Sequence, residues 1–334
     1  MAVLATGLAV GALANDAARS LQNDIGQMYA TDAYPGFDSE DEILKPSKKT
    51  PRWFAFINGP KMTNAAEQLA WCQECEREQA WGKARSGYDA LVREWPAAPE
   101  APRAQQRLAE LELEDLDVIQ AFEEYRYLVD FYPTQCDYDA MVHRLYAVAE
   151  MMREEGKRIF FIRFDNTIDV RRAYESVVLR APGADFVPQA LLTIGALRED
   201  EGKFDQAIEV YGNLRNLYVG TKEAEQGLLA EARVRMQMLD EHGYNRDRVR
   251  DTIEFLRLAV RGDVGNDSRE TLRGYLVQAE RLRDDAAYEA AKFYDSRTRT
   301  RRSAINAYET YIGDFPDGIH VDEARSRLNE LKED

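Results

Sequence analysis

The stretch LLTIGALREDEGKFDQAIEVY, residues 191–211, decides the fold of this chain. Apolar residues recur at helical spacing on both sides of a short polar break, which predicts two helices joined by a turn. Gly202 lies in that break, where a residue without a β-carbon permits a tight turn. Gly195 and Ala207 are small enough for two helices to cross closely, and Tyr211 is large enough to fill the space between hairpins. The stretch therefore predicts an antiparallel helical hairpin.

The same frame recurs along the chain, with a small or aliphatic residue four positions before a tyrosine and usually a proline eight positions after it. The frames are Ala84–Tyr88–Pro96, Ala121–Tyr125–Pro133, Val170–Tyr174–Pro182, Ala207–Tyr211–Val219 and Ala304–Tyr308–Pro316. Two tyrosine spacings are 37 residues, one of 49 implies a 12-residue insertion, and one of 97 leaves room for a degenerate repeat. Such a period predicts stacked helical hairpins.

The hairpin at 191–211 resembles the tetratricopeptide repeat. The matching positions are Ile194 and Gly195 in the first helix, Gly202 and Phe204 at the turn, and Ala207 and Tyr211 in the second helix. The resemblance implies an all-α, tetratricopeptide-like helical-hairpin solenoid of about five to six repeats, with a C-terminal capping helix. Arrays of this kind usually bind other proteins through extended surfaces.

Residues 64–332 also resemble the BamD family of outer-membrane protein assembly factors. The resemblance is strongest after residue 186 and in three C-terminal stretches, AAYEAAKFY (286–294), AINAY (304–308) and FPD (315–317). It implies a periplasmic scaffold whose N-terminal repeats meet unfolded outer-membrane proteins and whose C-terminal repeats meet a β-barrel assembly protein. A scaffold that coordinates other cell-envelope or peptidoglycan machinery is the alternative.

Two groups of residues are the candidate partner-binding sites under this resemblance. The N-terminal group is Arg103, Gln106, Arg107 and Glu110, and the C-terminal group is Arg297, Arg299, Arg301 and Arg302. The alternatives are an ordinary solvated helix face for the first group and a solvated turn for the second. The arginine cluster on a chain of net charge −16 favours an acidic partner.

Composition and the positions of proline and glycine divide the chain into four segments. We predict a signal peptide at 1–14, an extended leader at 15–62, N-terminal repeats at 63–220, and C-terminal repeats with the capping helix at 221–334. The first segment is apolar and ends in an A-x-A pattern, although a short helix packed on the body would fit too. We expect export to the periplasm and association with the outer membrane through partners, since no cysteine follows Ala14 directly and no lipid anchor is visible.

Two apolar stretches depart from the repeat pattern. The aromatic stretch 53–57 either caps the first repeat or serves as a partner-binding plug. The stretch 157–164, inside an insertion near 157–169, either packs against the third hairpin or forms an exposed docking patch.

The sequence offers little evidence for chemistry. Cys72 and Cys75 form a C-x-x-C, but the repeat frame places Cys72 at the small position where helices cross, which favours packing over metal or redox chemistry. The three histidines are scattered, and no nucleotide-binding, hydrolase or zinc-protease motif occurs. We therefore expect no catalytic, cofactor-binding or metal-binding residues, and no nucleic-acid partner for so acidic a chain. An enzyme on a helical-repeat frame is the remaining alternative.

Overall fold

The structure is a computed structural model that describes residues 59–158, 166–241, 245–297 and 301–333. Within those ranges every regular element is an α-helix. The predicted signal peptide, the aromatic stretch 53–57, most of the stretch 157–164, and Arg299 lie outside them. The all-α fold predicted from the tyrosine frame is confirmed.

The first compact unit comprises residues 1–201, and its described helices form three hairpins and one further helix. They are α1 (Ala65–Arg77), α2 (Trp81–Glu94), α3 (Ala101–Glu114), α4 (Val118–Phe131), α5 (Tyr138–Arg158), α6 (Asn166–Arg180) and α7 (Val187–Asp200). Each of these helices packs against the next along the chain, as expected for tetratricopeptide-like hairpins in a stack.

The second compact unit comprises residues 202–334. Its described helices are α8 (Phe204–Leu217), α9 (Lys222–Glu241), α10 (Arg246–Arg261), α11 (Asn266–Arg297), α12 (Arg301–Asp314) and α13 (Val321–Glu333). Each helix again packs against its successor, and α9 also contacts α11. The division of repeats between residues 220 and 221 stays a prediction.

Local signals in the sequence explain where several helices begin. The Asn64 side chain accepts a hydrogen bond from the backbone N–H of Glu67 and caps α1. Pro188 lies in the first turn of α7, where a missing N–H costs nothing. Asp185, one residue before the capping position of α7, does not cap that helix. Phe186 is the capping residue without a side-chain bond, and Asp185 instead faces the Nε2 atom of His143 at 3.2 Å.

The repeated tyrosines are core residues in both units. Tyr88, Tyr125, Tyr174, Tyr211 and Tyr308 are all at most 2% exposed. Ile253 replaces the tyrosine in the degenerate repeat and is equally buried. A ring at this position fills the space between helices, so the frame found in the sequence reports the packing of the core.

Candidate functional site

A groove of about 510 Å³ lies on the first unit between α1, α2 and α3. We call it the α1–α3 groove. It is lined by Leu69, Gln73, Glu76, Arg77, Tyr88, Arg103, Gln106, Arg107 and Glu110. The four N-terminal residues singled out in the sequence all belong to this lining, which brings them together on one surface.

Helical spacing explains why these side chains converge. Arg103, Gln106, Arg107 and Glu110 recur at intervals of three and four residues along α3, so they share one face. Leu69, Gln73, Glu76 and Arg77 follow the same spacing along α1. These α1 residues were not predicted as part of the site, although their helical spacing is visible in the sequence.

The Glu76 carboxylate accepts four hydrogen bonds within the groove. It accepts three hydrogen bonds from the Arg107 guanidinium, at 2.8–3.1 Å, and one from the Tyr88 hydroxyl at 2.5 Å. We call these three residues the Glu76 cluster. Burial alone would raise the pKa of Glu76, but the bonds from Arg107 and Tyr88 lower it below its ordinary value. The cluster joins α1, α2 and α3 and is held together by charge-assisted bonds.

Arg107 has further partners on its own helix. Its Nη1 atom donates to Glu110 at 3.0 Å and to Glu114 at 2.9 Å. The hydrogen bond to Glu76 raises the pKa of Arg107, so the guanidinium stays charged. Arg107 therefore joins two hairpins, in addition to any role toward a partner.

Arg103 and Gln73 differ from Arg107 because their polar groups are unused. Arg103 is exposed and Gln73 is half-buried, and neither makes a hydrogen bond or ion pair within the described ranges. Gln106 donates once, to Glu110 at 3.0 Å. The groove thus combines a charged cluster that is internally satisfied with an arginine and an amide that are free to meet a partner.

The arrangement of the Glu76 cluster recurs at other hairpins. The Tyr174 hydroxyl donates to Glu150 at 2.6 Å, and Arg153 donates to the same carboxylate at 2.6 Å. In the second unit, Tyr308 and Arg327 donate to Asp295 at 3.2 and 2.8 Å. Burial would raise the pKa of Glu150, yet bonds from Tyr174 and Arg153 lower it. The bond from Arg327 lowers the pKa of Asp295.

The spacing between the acidic residue and the tyrosine is a signal in the sequence that could have revealed this arrangement. Glu76 precedes Tyr88 by 12 residues and Asp295 precedes Tyr308 by 13. Glu150 precedes Tyr174 by 24, which is the same interval enlarged by the 12-residue insertion. In these three frames the tyrosine is therefore accompanied by an acidic residue on the preceding helix.

The C-terminal arginine group is only partly described. Arg297 ends α11, and Arg299 lies outside the described residues. Arg301 donates through Nε to the carbonyl of Leu331 near the end of α13, where cations stabilise the helix C-terminus. Arg302 is exposed in the first turn of α12 and has no partner among the described residues. Of the side chains of this group that the structure describes, Arg302 is the one without a hydrogen-bond partner in the described ranges.

The cysteines are packed as the repeat frame predicts. Cys72 and Cys75 are buried, and burial raises the pKa of Cys72 to about 12. A β-carbon placed on Gly87 would lie 2.6 Å from the Cys72 sulfur, so α1 and α2 cross closely here. At that pKa the thiol stays neutral, and Cys72 behaves as a small apolar side chain.

The two histidines in the described ranges lie beside acidic side chains. No cluster of three or more histidine, cysteine, aspartate or glutamate residues there has the arrangement of a metal site. His143 faces Asp185, and His320 faces Asp285 at 2.7 Å. None of the described helices combines the length and apolar character needed to cross a bilayer.

Comparison with known proteins adds little to this geometry. No protein-family model matches the sequence, and no curated protein matches it. Among solved structures, a tetratricopeptide repeat protein from Parabacteroides merdae ATCC 43184 is similar, with 11% identity and a TM-score of 0.28. The match covers 80% of this chain and 98% of that one. The helical-hairpin fold therefore stands on the helix packing within each unit of this chain.

Proposed function

We propose that this chain is a protein-interaction scaffold of the outer-membrane β-barrel assembly machinery, exported to the periplasm and held at the membrane through its partners. The observation that carries the proposal is the α1–α3 groove, where the four residues expected to meet clients lie side by side. Helical-hairpin arrays ordinarily act through such surfaces. The assembly role itself is supported by the resemblance of residues 64–332.

The two candidate surfaces have different roles in this proposal. The α1–α3 groove receives unfolded outer-membrane proteins, through the unpaired Arg103 and the amide of Gln73. The C-terminal hairpins meet the β-barrel assembly protein, and Arg302 supplies an unpaired positive charge there. A rim charge of this kind mainly sets association rate and partner choice.

Charge reversal tests the proposal better than truncation does. Removing 268–332 would take Leu272 and Ala279 out of the core that they share with α9 and α10, so lost binding could reflect unfolding. Arg103→Glu and Arg302→Glu change exposed side chains in the first turn of a helix. Arg246→Glu makes the same change at an exposed arginine in the first turn of α10 that has no partner among the described residues, and it is the matched control.

The measurement is affinity purification of each full-length chain from solubilised envelopes, with co-purified proteins quantified by mass spectrometry. We expect a β-barrel assembly protein with the unmodified chain and with Arg246→Glu, and its depletion with Arg302→Glu. Arg103→Glu should instead deplete outer-membrane clients. If no β-barrel protein is enriched, the assembly role is wrong. Enrichment of peptidoglycan enzymes in its place would support a cell-envelope scaffold of another kind.

A further inference from the structure

We infer that the α1–α3 groove binds an extended polypeptide segment through an acidic side chain inside that segment, with Arg103 pairing the carboxylate and Gln73 bonding the main chain. This inference rests on the proposed function, because it specifies the chemistry of the segment that the groove receives. Three properties of the groove support it: the charge of Arg103, the side-chain amides of Gln73 and Gln106, and the volume of the groove.

The unpaired charge favours a carboxylate. The lining contains three arginines and two glutamates. Arg107 is bonded to Glu76, Glu110 and Glu114, and Arg77 pairs with Glu74 outside the lining. Among the arginines of the lining, Arg103 is the one without an ion-pair partner in the described part of this chain, whose net charge is −16. A guanidinium matches a carboxylate in two-bond geometry, so an acidic side chain is the complementary group.

The side-chain amides of Gln73 and Gln106 favour a bound segment with an extended main chain. Within the described residues, the Gln73 amide makes no hydrogen bond and the Gln106 amide makes one, to Glu110. A side-chain amide both donates and accepts, which is what one peptide unit requires. A helical ligand has already bonded most of its own N–H and C=O groups, whereas an extended segment presents them to the groove.

The size agrees with a short segment. A volume of about 510 Å³ lies within the range of roughly 300–1,000 Å³ typical of ligand sites. Leu69 contributes an apolar side chain to the lining, against which the stem of an acidic residue packs. The groove therefore accommodates a few residues around the carboxylate.

The test uses peptides of nine residues with both termini blocked, built from serine, threonine and glycine around a central Asp-Glu, Lys-Lys or Gln-Asn pair. Fluorescence anisotropy reports binding to the full chain. We expect the Asp-Glu peptide to bind best, and Arg103→Glu to weaken it by about tenfold, the loss expected for one charge-assisted bond. The same variant should bind the Lys-Lys peptide more tightly than the unmodified chain does.

Arg246→Glu is the control, since it makes the same charge change at an equivalent helix position and should leave affinity within about twofold. Unchanged thermal midpoints will show that Arg103→Glu acts on binding alone. Equal affinity for the acidic and basic peptides would overturn the inference. So would no binding to any blocked peptide, or binding that requires a free C-terminal carboxylate.

The inference and the proposed function fail separately. If β-barrel proteins still co-purify with Arg103→Glu while acidic peptides do not discriminate, the scaffold role stands and the groove chemistry is wrong. If peptides discriminate as expected but no β-barrel protein co-purifies, the groove chemistry stands and the assembly role is wrong.

Discussion

At the scale of single residues, the buried tyrosines differ in what their hydroxyl groups meet. Tyr88 donates to a half-buried carboxylate at 2.5 Å, as Tyr174 does at 2.6 Å. Tyr125 occupies the same place in its repeat, but its hydroxyl has no hydrogen-bond partner in the described ranges. The ring fills the core in all five tyrosine frames, whereas the hydroxyl is bonded to a carboxylate in the frames of Tyr88 and Tyr174 and has no partner in the described ranges in that of Tyr125.

Tyr88→Phe is therefore expected to lower the free energy of unfolding by about 1–2 kcal/mol, because Glu76 loses one donor while the ring still fills its place. Tyr125→Phe removes the same atom from a hydroxyl without a protein partner and should change stability by less than about 0.5 kcal/mol. Urea denaturation of the two variants measures the difference. Equal losses would show that the hydroxyl of Tyr88 contributes nothing specific.

The Glu76 cluster also predicts a dependence of stability on pH. The folded state holds the pKa of Glu76 below its ordinary value, as it does for Glu150 and Asp295. A lowered pKa contributes stability that is present above the unfolded pKa, near 4.3 for glutamate, and lost as pH falls through the folded pKa. Urea midpoints should fall below about pH 4.5, and Glu76→Gln should reduce that fall. An identical acid slope in the variant would contradict the assignment.

At the scale of elements, several turns between helices need a residue with a positive φ angle, which glycine adopts more easily than other residues do. Gly202 has a φ of +72° in the turn after α7, where the sequence predicted a tight turn. Gln79 and Leu116 adopt similar positive angles, +58° and +63°, in the turns after α1 and α3. Residues with a β-carbon are strained there, and Leu116 is also 71% exposed, so it gains little from burial.

Leu116→Gly is expected to raise the free energy of unfolding by about 0.5–1 kcal/mol, since relief of strain exceeds the entropy that glycine adds to the unfolded chain. Ile119→Gly, at an exposed helical site in the same hairpin, should instead cost about 1 kcal/mol. Thermal midpoints of the pair provide the measurement. A destabilised Leu116→Gly would mean that the leucine makes contacts beyond its turn.

The crossing of α1 and α2 predicts a steric effect. Alanine at position 87 would bring its β-carbon to 2.6 Å from both the Cys72 sulfur and the Trp71 ring, and overpacking of this kind costs about 1–3 kcal/mol. Gly82→Ala in the same helix meets nothing within 4 Å and should be neutral or stabilising. Chemical denaturation compares them. If Gly87→Ala is as stable as Gly82→Ala, the helices do not cross as closely as described.

At the scale of the whole molecule, the helical fold could be predicted because small and apolar residues recur at the same positions of each repeat. The Ala–Tyr–Pro frame predicted stacked helical hairpins, and the described residues of both units form helices that pack against their successors. The charged interior could not be predicted. Arg171 and Arg198 are buried with Glu175 and bond it at 2.8 and 2.9 Å, yet in the sequence they resemble solvated helix positions. Periodicity reveals which faces are apolar, but not which charges are paired inside.

The sequence predicted one side of the candidate site but not the other. The α3 side of the groove was identified from its place in the repeat, and its alternative was an ordinary solvated face. The α1 side and the distinction between a bonded Arg107 and an unpaired Arg103 depend on contacts between helices, which spacing alone does not specify. Arg299 lies outside the described residues, so the C-terminal site rests on Arg302.

The most direct test of the central claim, that the α1–α3 groove is where outer-membrane clients bind, is site-specific photo-crosslinking in native envelopes. A photoreactive amino acid replaces Gln73 in one chain and Arg246 in a control chain, and the products are identified by mass spectrometry. We predict crosslinks to β-barrel outer-membrane proteins from position 73 and none from position 246. The same products from both positions, or no β-barrel protein from position 73, would contradict the account.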